Sequence, residues 1–67
     1  MLSPDTPITV RTHDAASGEF GETATMTWGA FVASNDADTV DDAKFQIEFD
    51  GYAKLGGGAA PIVWVFA

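Results

Sequence analysis

The chain has no cysteine. Disulfide staples and thiolate metal sites are therefore excluded, and packing alone must hold the fold. Positive charge is nearly as scarce: Arg11, Lys44 and Lys54 stand against ten Asp and Glu. So few cations exclude the basic patch with which proteins hold nucleic acid. No apolar run approaches the ~20 residues of a membrane helix; the longest is Ile62 to Ala67. The opening Met1-Leu2-Ser3-Pro4-Asp5 lacks the basic and apolar segments of a signal peptide, so a cytosolic location is expected.

What is present is a small, greasy, acidic chain. Its 67 residues suit one domain, 1–67, near the lower size limit for independent folding. The hydrophobic fraction of 46% and the aromatics (five Phe, two Trp, one Tyr) supply a core and argue against disorder. The net charge of −7 is spread along the chain rather than gathered in a tail. Such a field repels nucleic acid and anionic membranes and steers the molecule toward basic surfaces.

Residues 1–7 carry Pro4 and Pro7 and are expected to be an extended, frayed lead-in. Ile8 to His13 is β-branched and alternating, which predicts a first strand with Ile8 and Val10 facing in. Asp14 to Gly18 supplies turn chemistry, and a second strand lies within Glu19 to Met26, with Gly21 marking a bulge. Thr27 is a helix N-cap ahead of Trp28, Phe31 and Val32, whose spacing makes one helical face. Asn35 is expected to end that short helix in the left-handed region. Asn35 to Asp42 reads as an acidic loop or a ragged helical extension. Phe45, Ile47 and Phe49 then alternate with Gln46, Glu48 and Asp50, the pattern of a half-buried third strand. Asp50-Gly51 is a turn signal, and Tyr52 to Leu55 can prolong the strand beyond a bulge. The run Gly56-Gly57-Gly58 is the most flexible point of the chain. Pro61 opens a fourth strand, Ile62 to Phe66, in which Trp64 joins the core while Val63 and Val65 lack a cover. The expected fold is α+β: a small antiparallel sheet of three to four strands with one short helix on one face, in the order β-β-α-β-β.

No motif names a reaction. An EF-hand calcium loop starting at Asp36 fails at Val40, Asp41 and Ile47, where a ligand, a glycine and a glutamate are required. His13 beside Asp14 and Ser17 sits in a turn open to water, with nothing to form an oxyanion hole. Glu48 and Asp50, projecting from an open sheet face, have no apolar pocket to tune them for acid–base work. The glycine run precedes a strand and lacks the lysine of a phosphate-binding loop. No catalytic, cofactor or metal residue is assigned.

The surface remains. Glu48 and Asp50 on one strand face would stand roughly 7 Å apart, beside a loop carrying Asp36, Asp38, Asp41 and Asp42. DNA carries a charge about every 3.4 Å per strand. Such a face suits a Lys- and Arg-lined groove that normally holds nucleic acid.

In size, charge, absence of cysteine and compact α/β layout, with that Asp loop and the Glu48/Asp50 face, the chain resembles the small acidic inhibitors encoded by phages and mobile elements. Anti-CRISPR proteins and other DNA mimics are the nearest group. The resemblance spans the whole chain but carries no shared motif. It implies a non-enzymatic inhibitor in the host cytoplasm that binds a basic, nucleic-acid-binding surface of a nuclease or CRISPR–Cas subunit and blocks DNA access. The expected contact residues are Asp36, Asp38, Asp41, Asp42, Glu48 and Asp50, with no cofactor, no direct nucleic-acid contact and no membrane contact, from a monomer or homodimer. The alternative is a self-associating structural or assembly protein that uses a strand edge or the face of Val63 and Val65.

Overall fold

Two β-hairpins flank a pair of helices in the computed structural model, which describes residues 2–14, 16–57 and 61–67. The elements are β1 (Pro7–His13), β2 (Phe20–Thr27), α1 (Trp28–Ser34), α2 (Ala37–Asp50), β3 (Tyr52–Gly56) and β4 (Ile62–Phe66). The strands form one sheet in the order β2-β1-β4-β3, antiparallel throughout. The α+β class and the four-stranded antiparallel sheet are as the sequence predicts. The element order is β-β-α-α-β-β, because a second helix stands where an acidic loop, or a ragged helical extension, and a third strand were expected.

In the first hairpin, Asp14 Oδ1 accepts the N–H groups of Ala16 and Ser17 at 2.8 and 3.3 Å. Gly18 takes a φ of 75°, which the turn requires and glycine accepts without strain. The β1–β2 register shifts between Arg11 and His13, placing a bulge at Gly21. A Cβ there would meet the Thr12 hydroxyl, which would have to turn aside.

The lead-in is tied down rather than frayed. The carbonyls of Thr6 and Pro4 accept from Trp28 N and Gly29 N, at 2.8 and 3.0 Å. These donors open α1 and have no partner within the helix. A Cβ on Gly29 would stand 3.0 Å from the Pro4 oxygen. Glycine's cost to the helix is thus offset by the closeness of this contact. Thr27 caps the helix as predicted, its hydroxyl accepting Ala30 N–H at 3.1 Å. Trp28 and Phe31 are buried, their rings stacked 5.2 Å apart, but Val32 faces solvent. Asn35 ends α1 in extended backbone, not left-handed, and its side-chain amide donates to the Phe31 carbonyl at 2.9 Å.

The largest correction concerns residues 36–50. Asp36 is an N-cap: its carboxylate accepts Thr39 N–H at 2.7 Å. Gly51 closes the other end at φ 88°, donating its N–H to the Ile47 carbonyl at 2.8 Å. Between these signals Val40, Ala43 and Ile47 recur at +3 and +4, making a narrow apolar stripe. The period-two pattern of Phe45, Ile47 and Phe49 therefore competes with a capped helix and loses. Ile47 is buried while Phe45 and Phe49 are not.

The core lies between the helices and one face of the sheet. Ile8, Ala53, Leu55 and Val65 come from the sheet; Trp28, Phe31, Ala43 and Ile47 come from the helices. Val65 is completely buried and Val63 packs against the same cluster, so the face that lacks a cover is the other one. Trp64 belongs to that other face and not to the core. β4 runs between β1 and β3, and its hairpin partner is Tyr52–Gly56 rather than Phe45–Asp50.

Candidate functional site: the outward face of the second helix

A helix advances 1.5 Å and turns 100° per residue, so the buried stripe of Val40, Ala43 and Ile47 fixes what faces away from the sheet. The outward side carries Phe45 and Phe49, one turn apart. Phe45 is 68% exposed and Phe49 78%. Their rings lie nearly parallel, 6.1 Å between centroids. By the same spacing Asp42 flanks the pair on one side and Asp41 and Glu48 on the other, while Asp38, two turns before Phe45, continues the line of the ridge toward the helix N-terminus. All four carboxylate residues are exposed. The result is an aromatic ridge with an acidic border on each side.

The structure thus brings four of the six predicted contact residues together, on one helix rather than on a loop and a strand. The other two have separate places. Asp36 spends its carboxylate on the cap, and the Thr39 backbone N–H, with help from the Thr39 hydroxyl, holds its pKa below 3.8. Asp50 is the last helical residue, roughly 180° around the helix from Asp41, next to the Gly51 cap. Glu48 and Asp50 do not share a face, because i and i+2 are neighbours on a strand but not on a helix. Both sit near the helix C-terminus, where the backbone dipole disfavours negative charge and the last turn carries no basic residue. Asp14, outside this face, also has a lowered pKa, because it accepts the N–H groups of Ala16 and Ser17.

Beside α2 lies an open groove of about 520 Å³. Phe31, Leu55 and Val63 supply apolar lining, and Asp38, Asp42 and Asn35 supply polar groups. An aliphatic stem ending in a cation suits this lining. Gln46 holds the helix against the sheet edge: its amide accepts Lys54 N–H at 2.9 Å and donates to the Lys54 carbonyl at 3.3 Å. Both bonds engage backbone groups on β3, which are exposed at a sheet edge unless covered. The sequence reading assigned Gln46 to a solvent-facing strand position and missed this role.

The uncovered sheet face has the opposite character. The strand register places Thr9, Phe66 and Tyr52 in one row, Arg11, Trp64 and Lys54 in the next, and His13 with Ile62 beyond. Phe20 lies opposite His13, with the two rings stacked at 4.7 Å. The Arg11 guanidinium lies 3.9 Å from the Phe20 ring centre, and the Lys54 ammonium 5.4 Å from that of Trp64. Two of the three cations therefore stand on this face among four aromatic rings. No carboxylate residue is among the paired positions of this face; Glu22 lies at the bulge, outside them. The expectation of Trp64 in the core and of a third strand at Phe45–Asp50 hid this face.

Among the described residues no group of three or more His, Cys, Asp or Glu side chains is arranged to hold a metal ion. No described helix is long and apolar enough to cross a membrane. Comparison of the chain with protein-family models, with curated proteins and with solved structures finds no match.

Proposed function

We propose that this chain is a non-enzymatic inhibitor that lays α2 on a basic, nucleic-acid-binding surface of another protein. A host nuclease or a CRISPR surveillance subunit is the class of target, and the action is to block DNA access in the host cytoplasm. One observation carries the reading: the Phe45–Phe49 ridge is exposed and bordered by Asp38, Asp41, Asp42 and Glu48. Paired aromatics at i and i+4 are the anchors with which a helix enters an apolar groove, and buried aromatics dominate interface energies. The carboxylates then meet the rim. From Asp38 to Glu48 the helix rises about 15 Å, a length over which one DNA strand carries roughly four phosphates. The four carboxylates match that count. The groove beside Asp38 and Asp42 takes an inserted Lys or Arg side chain, with its stem on Phe31, Leu55 and Val63.

Binding of this kind weakens as salt rises, because the border charges are exposed and screened. Asp41→Lys with Asp42→Lys should abolish inhibition while the circular dichroism spectrum and melting curve stay those of a folded protein. Full inhibition by that folded variant would remove α2 from the contact. A self-associating assembly protein is the second reading, favoured by the aromatic sheet face and not by Val63 and Val65.

A further inference from the structure

We infer that two copies of this chain associate head to tail, the α2 ridge of one seating on the open sheet face of the next. The inference goes beyond the inhibitor reading and does not depend on the target. Each surface, taken alone, leaves large apolar groups in water: Phe45 and Phe49 on the helix, and Phe20, Tyr52 and Phe66 on the sheet, each at least 41% exposed. Exposed patches of this kind mark interaction sites. Their charges decide the pairing. The sheet face carries Arg11 and Lys54, and no carboxylate residue is paired in its outward rows, while the ridge is bordered by four carboxylates. Sheet on sheet would set cations against cations, and ridge on ridge would set carboxylates against carboxylates. Ridge on sheet joins aromatics to aromatics and opposite charges at the rim, the complementarity that selects one register over others.

The two surfaces belong to opposite layers, since both helices pack on the inner face of the sheet. A contact between unlike surfaces on opposite sides of a molecule is heterologous. Repetition of it builds a closed ring or an open stack, not a two-fold dimer. Such association covers Phe45 and Phe49, so it competes with any target that binds α2.

The test is sedimentation velocity on three proteins: wild type, Phe45→Ala/Phe49→Ala, and Arg11→Glu/Lys54→Glu. Wild type should show a concentration-dependent series of species beyond the dimer. Each double variant should raise the dissociation constant at least about tenfold, equivalent to about 1.4 kcal/mol, and sediment as a monomer. Mixed together, the two variants should form a 1:1 dimer and nothing larger, because each retains the surface the other lacks. Lys54→Glu alone serves if the second double variant does not fold, with a smaller rise expected. Wild type that stays monomeric to millimolar concentration would overturn the inference. So would loss of association in only one variant, or a mixture that stays monomeric.

Discussion

Ile47, Phe45 and Phe49 give the fold its sharpest test, because a strand and a helix rank them oppositely. On a strand all three share a buried face; on α2 only Ile47 is buried, at 6% exposure. Truncating a buried Ile to Ala costs about 2–5 kcal/mol, and to Val about 0.5–1.5. A phenylalanine presents about 200 Å² when fully accessible. At 68% and 78% exposure, Phe45 and Phe49 bury roughly 60 and 45 Å² of that. At about 25 cal/mol per Å² this is at most ~1.5 and ~1 kcal/mol. Alanine keeps part of the contact and gains roughly half a kcal/mol of helix propensity. Each Phe→Ala variant should therefore lose less than about 1 kcal/mol. Urea unfolding followed by the fluorescence of Trp28 and Trp64 measures the difference. Dilute protein is needed, since association adds stability by mass action. If Phe45→Ala or Phe49→Ala costs as much as Ile47→Ala, the three side chains share a buried face and α2 is misassigned.

Three further predictions concern the caps and turns. Thr27→Ala should cost about 0.5–2 kcal/mol in the same urea assay, because Ala30 N–H loses its acceptor; an unchanged midpoint would contradict the cap. Gly51→Ala and Gly56→Ala both force a residue with a Cβ to positive φ, at roughly 1–2 kcal/mol. Gly56→Ala should cost more, since its Cβ also meets the Pro61 carbonyl while that of Gly51 meets open space; equal losses would count against the β3–β4 geometry. Asp36 has a folded pKa below its ordinary 3.8, so its charge stabilises the fold above pH 3.8 and that contribution is lost as pH falls through the lower folded value. The stability gap between wild type and Asp36→Asn should be present at neutral pH and close in acid; a gap independent of pH would show that the charge does not contribute.

How far the sequence led is clearest at residues with strong local signals. Thr27 caps α1 through its hydroxyl, Gly18 takes the positive φ of its turn, Gly21 sits at the bulge and Pro61 immediately precedes β4, each as its local chemistry predicts. The stretch 36–50 was not legible because two periods overlap in it. Phe45, Ile47 and Phe49 are large and draw attention to period two, while the helical stripe relies on Val40 and Ala43. Ala43 is completely buried yet carries almost no hydrophobic weight. The terminal signals, Asp36 three residues before Thr39 and Gly51 after Asp50, were both visible and outweigh the alternation. The exposure of Asp38, Asp41, Asp42 and Glu48 was legible, because all four face water on either element. Their arrangement was not, and the aromatic ridge could not be seen while Phe45 and Phe49 were assigned to the core. Pairing across the sheet was the other hidden quantity. Arg11, Lys54 and Trp64 are far apart in sequence, and only the register of β1, β4 and β3 sets them in one row.

Competition with DNA tests the central claim most directly. A nucleic-acid-binding protein captured from lysate by the immobilised chain is loaded with a fluorescent duplex, and the chain is titrated in while polarisation is read. Wild type should displace the duplex, more weakly as salt rises. Asp41→Lys/Asp42→Lys should leave it bound, and Phe45→Ala/Phe49→Ala should need at least about tenfold more protein. A wild-type chain that binds the captured protein yet leaves the duplex in place would contradict the account.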